Sequence, residues 1–171
     1  FADIEKAHER IRPYIHRTPV MTSKSINEIV GAELFFKCEN LQKVGAFKFR
    51  GACNSVFSLS DEEAKNGVCT HSSGNHAAAL ALAARMRGIP AYIVMPENAP
   101  QIKKVAVAGY GAQITFCEPT LVARESALKQ VAEKTGATEI HPYNYFNVIC
   151  GQGTAAKELI EETGQLDVVM V

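Results

Sequence analysis

Apolar positions recur along this chain with two different spacings. Ile4, Ala7 and Ile11 share one face of a helix that Pro13 ends. Thr18-Pro19-Val20 reads as extended, because a residue before proline avoids the helical region. A short helix is expected from about Lys24 to Val30, stopped by Gly31, and a strand around Leu34-Phe35-Phe36. Asn40 to Gly45 reads as a loop. From about Phe47 to Leu59 the helical period returns, with Phe49, Ala52, Val56 and Phe57 facing inward.

An alternation of strand and helix follows. Val68-Cys69-Thr70 is a short strand, and Asn75 to Arg87 an alanine-rich helix closed by Gly88 and Pro90. Ala91 to Met95 is a strand. Asn98 is expected to cap a helix with Pro100 in its first turn, ended by Gly109. Ala112 to Cys117 is a strand. Thr120 to Lys134 is a helix with Leu121, Leu128, Val131 and Ala132 inward and a Glu125–Lys129 pair. Thr138 to His141 gives a short strand, Thr154 to Glu162 a helix closed by Gly164, and Asp167 to Val171 a last strand. Strands separated by single helices pair in parallel, so the class is α/β. The expected organisation is residues 1–66 as the first part of a larger unit, 67–144 as a small lobe, and 145–171 as a return to the larger unit. The first residue is Phe1 rather than Met, and a strand at Val171 leaves the ligand end of a sheet bare. The sequence is therefore expected to continue on both sides.

Composition narrows the function. Formal net charge is zero, so no basic field gathers nucleic acid or a membrane surface. No apolar run is long enough to span a bilayer. The five cysteines, Cys38, Cys53, Cys69, Cys117 and Cys150, are odd in number and lack metal-ligand spacing. A reduced, cytoplasmic protein without a metal site of its own is the simplest reading.

Three segments carry candidate chemistry. In Gly45-Ala46-Phe47-Lys48-Phe49-Arg50-Gly51 a lysine stands between two phenylalanines at a loop-to-helix junction. Apolar neighbours lower an amine's pKa, Arg50 is expected to push the same way, and a neutral amine is what attack on a carbonyl needs. Taken alone, the segment reads more simply as an exposed lysine whose stem lies on aromatic rings. In Thr70-His71-Ser72-Ser73-Gly74-Asn75-His76 a strand passes through a small polar turn into a helix. The open N–H groups of such a turn bind anions, and helix capping explains one of these residues but not the cluster. Gly151-Gln152-Gly153-Thr154-Ala155-Ala156 fits the loose dinucleotide pattern, but too short a strand precedes it. A glycine-rich helix entry is the plainer reading, with NAD binding as the rival. His8 and His16 read as helix-surface and loop residues, His141 as a turn residue, and Asp61-Glu62-Glu63 as a solvated helix start.

The lysine segment and the serine-glycine-asparagine segment occur in this order, about 25 residues apart, within an α/β pattern. Together with Thr18-Pro19-Val20, Phe36-Lys37-Cys38-Glu39, Gln42-Lys43, Gly88-Ile89-Pro90-Ala91 and Gly151-Gln152-Gly153-Thr154, they resemble the fold-type II pyridoxal-phosphate (PLP) enzymes. The likeness is greatest to the serine racemases and serine/threonine dehydratases. It runs nearly end to end and reverses the plain reading of Lys48. It implies open parallel sheets flanked by helices, with the small lobe inserted in the larger domain and closing over substrate.

By this resemblance Lys48 carries the cofactor through its amine and later takes the Cα proton. Phe47 packs near the cofactor ring and Asn75 meets the ring hydroxyl. Ser72, Ser73, Gly74, Asn75 and His76 hold the substrate carboxylate. Ser73 is the acid/base on the face opposite the lysine. The implied chemistry is racemisation or β-elimination of a small hydroxy-amino acid, giving the D-amino acid, or a keto acid and ammonia. ATP with a divalent metal at a homodimer interface is a further implication, with Ser23, Lys24, Lys43 and Tyr110 at matching positions. The glycine loop for the cofactor phosphate, the serine that meets the pyridine nitrogen and the metal's acidic ligands would all follow Val171. Ala46, where many relatives carry serine, is a minor departure. The rival of a different class is a non-catalytic lobe that binds an anionic ligand or partner at the Ser72–Asn75 turn.

Overall fold

The computed structural model describes residues 1–171. Helix α1 (Ala2–Ile11) buries Ala7 and Ile11, as its apolar stripe requires. It also buries His8, which is not the surface residue the sequence suggests, because that face lies against a later helix carrying Glu158. Strand β1 (Val20–Met21) pairs antiparallel with β2 (Phe36–Lys37) on either side of α2 (Lys24–Val30). Helix α2 is capped by Ser23 and closed by left-handed Gly31. A 3₁₀ turn, Glu39–Leu41, and a tight turn at Lys43–Gly45 in which Val44 and Gly45 take left-handed backbone angles fill the expected loop and lead into α3 (Lys48–Ser58). Helix α4 (Asp61–Ala64) starts with a reciprocal Ser60–Glu63 capping box.

A four-stranded parallel sheet follows: β3 (Val68–His71), β4 (Ala91–Pro96), β5 (Gln113–Cys117) and β6 (Thr138–Glu139), in the spatial order β5-β4-β3-β6. Helix α5 (Asn75–Arg87) joins β3 to β4, α6 (Gln101–Gly109) joins β4 to β5, and α7 (Leu121–Thr135) joins β5 to β6. Alternation along the strands divides their side chains between two faces. Val68, Ile93 and Met95 join the alanines of α5, while Cys69 and Val94 meet Leu128 of α7. The first two connections run one way from β3, and the last returns to its other side. The crevice beyond the carboxyl ends of the paired strands β3 and β6 is therefore a topological switch point, where open α/β sheets bind their ligands.

Four local expectations change here. Pro100, not Asn98, occupies the cap position of α6. Leu121, the first residue of α7, is exposed, and Lys129 reaches Glu133 at 4.0 Å rather than Glu125. Asp167 to Val171 forms no strand, because no neighbouring strand supplies its ladder.

The largest correction concerns the glycine pair. Helix α8 runs unbroken over Phe146–Thr163, so Gly151 and Gly153 lie inside a helix rather than in a loop at its entry. Their role is close packing. A Cβ on Gly151 would stand 2.6 Å from the Arg50 carbonyl oxygen and from the Gly51 Cα, and one on Gly51 would stand 2.7 Å from the Val148 carbonyl. Helices α3 and α8 thus cross backbone to backbone, and Gly153 makes room for Ile4 of α1. This leaves the dinucleotide reading without its phosphate loop. Gly151→Ala should destabilise the protein by about 1–3 kcal/mol through overpacking, read as a lowered denaturation midpoint with an unchanged m-value.

Candidate functional site

Lys48 is the first residue of α3, and its amine donates to the Pro142 carbonyl at 3.0 Å. Pro142 lies between β6 and α8, so Lys48 reaches into the switch-point crevice. Its Nζ stands 5.3 Å from the Phe47 ring centre, and Phe47 remains partly exposed. Burial alone lowers the Lys48 pKa. Arg50 does not act on it as expected, because the guanidinium faces away and is neutralised by Glu39 and Glu158.

The polar turn comes to the same crevice from β3. The Ser72 amide closes onto Val94 of the sheet, and the Gly74 amide donates to Ser72 Oγ at 3.3 Å. The amides of Ser73, Asn75, His76 and Ala77 donate to no other backbone group, as expected of an uncapped helix start. Ser73 and Asn75 are exposed, and Gly74 has open space where a Cβ would be. Asn75 Oδ1 accepts from Lys103 Nζ at 2.6 Å, which leaves the Asn75 amide nitrogen free to donate.

Beneath this turn lie three buried polar atoms without a partner: Thr70 Oγ1, His71 Nδ1 and His76 Nδ1. His76 Nε2 lies 3.4 Å from the Ile140 carbonyl, so that nitrogen carries the hydrogen and Nδ1 presents a lone pair. Burial brings the His76 pKa down to about 4, so its ring is neutral at ordinary pH. His71 is shifted down as well, first by burial and then by Arg124. The carbonyls of Ile140 and Pro142 are thus held by His76 and by Lys48 respectively. His141 turns its Nδ1 inward to accept from the amides of Tyr143 and Asn144, a turn role as expected.

A desolvated amine with one protein partner, a run of free amides and the unpartnered Nδ1 of His76 lie beyond the carboxyl ends of β3 and β6. Such a set suits a ligand with a carbonyl carbon and a carboxylate, and PLP with an amino acid meets that description. The remaining candidates lie elsewhere. Ser23 caps α2, Lys24 pairs with Glu28 at 3.9 Å, and Lys43 stands 5.8 Å from the Phe49 ring centre. Tyr110 ends α6. Lys24 and Tyr110 line two different clefts, so a single chain does not bring these four residues together. His16 is exposed beside the Leu41 carbonyl. All five cysteines are free, and burial raises Cys53 to about 12 and Cys69 to about 11. No three side chains form a metal-ligating group, and no helix is long and apolar enough to cross a membrane.

Two features escape the sequence. The Pro142 carbonyl is a backbone acceptor, and only the His141-Pro142 pair hints at a fixed turn there. The second is a buried ionic group around Arg50, whose only signal is a Glu at an inward position of the α8 pattern.

The family model for pyridoxal-phosphate dependent enzymes matches residues 11–171. The chain is 57% identical to a serine racemase of Arabidopsis thaliana, over 98% of this chain and 51% of the relative. It is 51% identical to an L-threo-3-hydroxyaspartate ammonia-lyase of Saccharomyces cerevisiae, over 100% of this chain and 52% of the relative. Among solved structures, maize serine racemase superposes with a TM-score of 0.95 at 55% identity, covering 97% of this chain and 50% of that one. A threonine deaminase from T.th. gives 0.89 at 40% identity, covering 99% and 53%. The chain spans about half the length of the relatives it matches.

Proposed function

Because this chain belongs to the pyridoxal-phosphate dependent enzyme family, we propose that it carries the reactive lysine of an enzyme that racemises or dehydrates a small hydroxy-amino acid. The carrying observation is the desolvated Lys48 amine at the β3–β6 switch point, facing the edge formed by the Ser72–His76 turn.

Bound PLP supplies an electron sink for the carbanion left when a proton departs from Cα. Lys48 would hold it through Nζ and, once released, take that proton. The free amide nitrogen of Asn75, oriented by Lys103, would donate to the ring hydroxyl. Phe47 would pack beside the ring. The free amides and hydroxyls from Ser72 to His76 would hold the substrate carboxylate against the start of α5. Ser73, exposed on that turn, would deliver a proton to the face opposite Lys48. Two acid/base groups on opposite faces are what racemisation requires, whereas loss of the β-hydroxyl requires only the first removal. The names of the relatives support serine, threonine or hydroxyaspartate as substrate. The five free thiols favour a reducing, cytoplasmic setting, and the exposed Met21, Ile29 and Phe36 favour a homodimer. ATP with a metal at that dimer interface would join Ser23, Lys24, Lys43 and Tyr110 from two chains, consistent with their separation in one.

The test is covalent trapping. Borohydride reduction in the presence of PLP should leave one pyridoxyl group, on Lys48, identified by peptide mass. Since the Lys48 pKa is lowered, its neutral form appears at lower pH than that of an ordinary lysine, and labelling should rise at correspondingly lower pH. Label spread over surface lysines would count against the assignment. A second measurement separates the two outcomes. Ser73→Ala should cut formation of the D-amino acid by about 100-fold or more while keto-acid release continues, as chiral chromatography of the products would show.

A further inference from the structure

We propose that Arg50 is the positioning residue for Lys48, an inference that rests on the reading of Lys48 given above. Helix α3 begins at Lys48 without a side-chain cap, since Phe47 offers no acceptor. An uncapped first turn is free to fray or roll. Here it is held from the side. Arg50 is fully buried and uses all five of its N–H donors. Nε and Nη2 donate to Glu39 at 2.8 and 2.8 Å, and Nη1 and Nη2 to Glu158 at 2.8 and 2.8 Å. The fifth bond joins Nη1 to Thr154 Oγ1 at 3.2 Å.

The acceptors are themselves fixed. Thr18 Oγ1 donates to Glu39 at 2.6 Å, and Lys37 Nζ reaches Glu158 at 2.8 Å. Two cations and two carboxylates cancel, so the group adds no net charge next to the reactive amine. Val44, between Glu39 and Lys48, sits at φ 59° in the left-handed region, the one non-glycine residue that does so. A β-branched residue stays there only where its surroundings over-determine the backbone. The turn before Lys48 and the turn after it are thus both constrained.

Residues two apart on a helix point about 200° from each other. Arg50 therefore anchors one side of the first turn to α8, and Lys48 leaves from the opposite side toward Pro142. A displacement of about 1 Å at a reacting group can lower a rate about 100-fold. The planar five-donor fork fixes the roll of α3, and with it the place of Nζ.

Arg50→Lys in the full-length holoenzyme, and in its apo form, keeps the charge and loses the fork. The rate at which PLP and borohydride label Lys48 should fall about tenfold or more, and kcat should fall while KM stays within about twofold. Lower thermal stability with an unchanged labelling rate and unchanged kcat would make Arg50 a purely structural residue and overturn the proposal. Should Arg50→Lys not fold, Glu39→Gln at the more accessible edge is judged by the same two readings. Absence of Lys48 labelling in the unaltered protein would instead overturn the reading of Lys48 itself.

Discussion

Lys48→Ala should abolish turnover in the intact enzyme, by a factor on the order of 10⁴ or more, and leave the protein folded. The loss is large because one amine serves twice, as the point of covalent attachment and as the Cα base. Acid–base catalysis alone contributes about 10²–10⁴-fold. The fold should survive because Lys48 contributes a single hydrogen bond, to the Pro142 carbonyl, worth about 1 kcal/mol net. Removing the lysine also relieves the desolvation of its charged form. Turnover, the borohydride adduct and a thermal melt together check this: activity and adduct vanish while the melt moves little. Turnover retained by Lys48→Ala would remove this residue from the chemistry.

Glu158→Ala should do the reverse and strike stability first, by about 3–5 kcal/mol. Its carboxylate is 1% exposed and takes two bonds from Arg50 and one from Lys37, with His8 Nδ1 at 3.9 Å. Truncation leaves two cations facing each other out of water. Burial pushes the Glu158 pKa up, but the hydrogen bonds from Arg50 and Lys37 outweigh it and hold the group below the usual carboxylate range. A carboxyl depressed in the folded state stabilises fully above its ordinary pKa, and that stability is lost as pH falls through the depressed one. Denaturant titration of the intact protein at neutral pH should show the full loss for Glu158→Ala and a smaller one for Glu158→Gln, which keeps the shape. The gap between the unaltered protein and Glu158→Ala should shrink in acid. An unchanged midpoint for Glu158→Ala would mean that Glu39 alone satisfies Arg50.

The two predictions divide along what a sequence reveals. Helices α2 and α5 are legible to the residue, because Gly31 and Gly88 mark their ends and nothing inside them contradicts the pattern. The start of α8 is not legible, and the pattern places it at Thr154 instead of Phe146. Gly151 and Gly153 resemble a loop until α3 and α1 supply the backbone and side chain they fit against. A strand at Asp167 to Val171 cannot be judged from its own residues, since a ladder belongs to two strands. Within the site, Lys48 and the Ser72–His76 turn stand out through local motifs. Arg50 reads from sequence as a modifier of the neighbouring amine, because charged residues normally lie on the surface. Only the tertiary structure reveals which carboxylates cancel it, and both Glu39 and Glu158 lie outside its own helix.

The crossing of α3 over α8 also sets the timing of assembly. Glu158 follows Arg50 by 108 residues. At roughly 10 residues per second on a ribosome, the arginine would wait on the order of ten seconds for its second carboxylate. The whole β3–β6 sheet is synthesised in that interval, and its neighbouring strand pairs can form as they emerge. The nascent chain would then hold an assembled sheet while the segment around Lys48 was still mobile, and it would complete that segment last, when α8 docks.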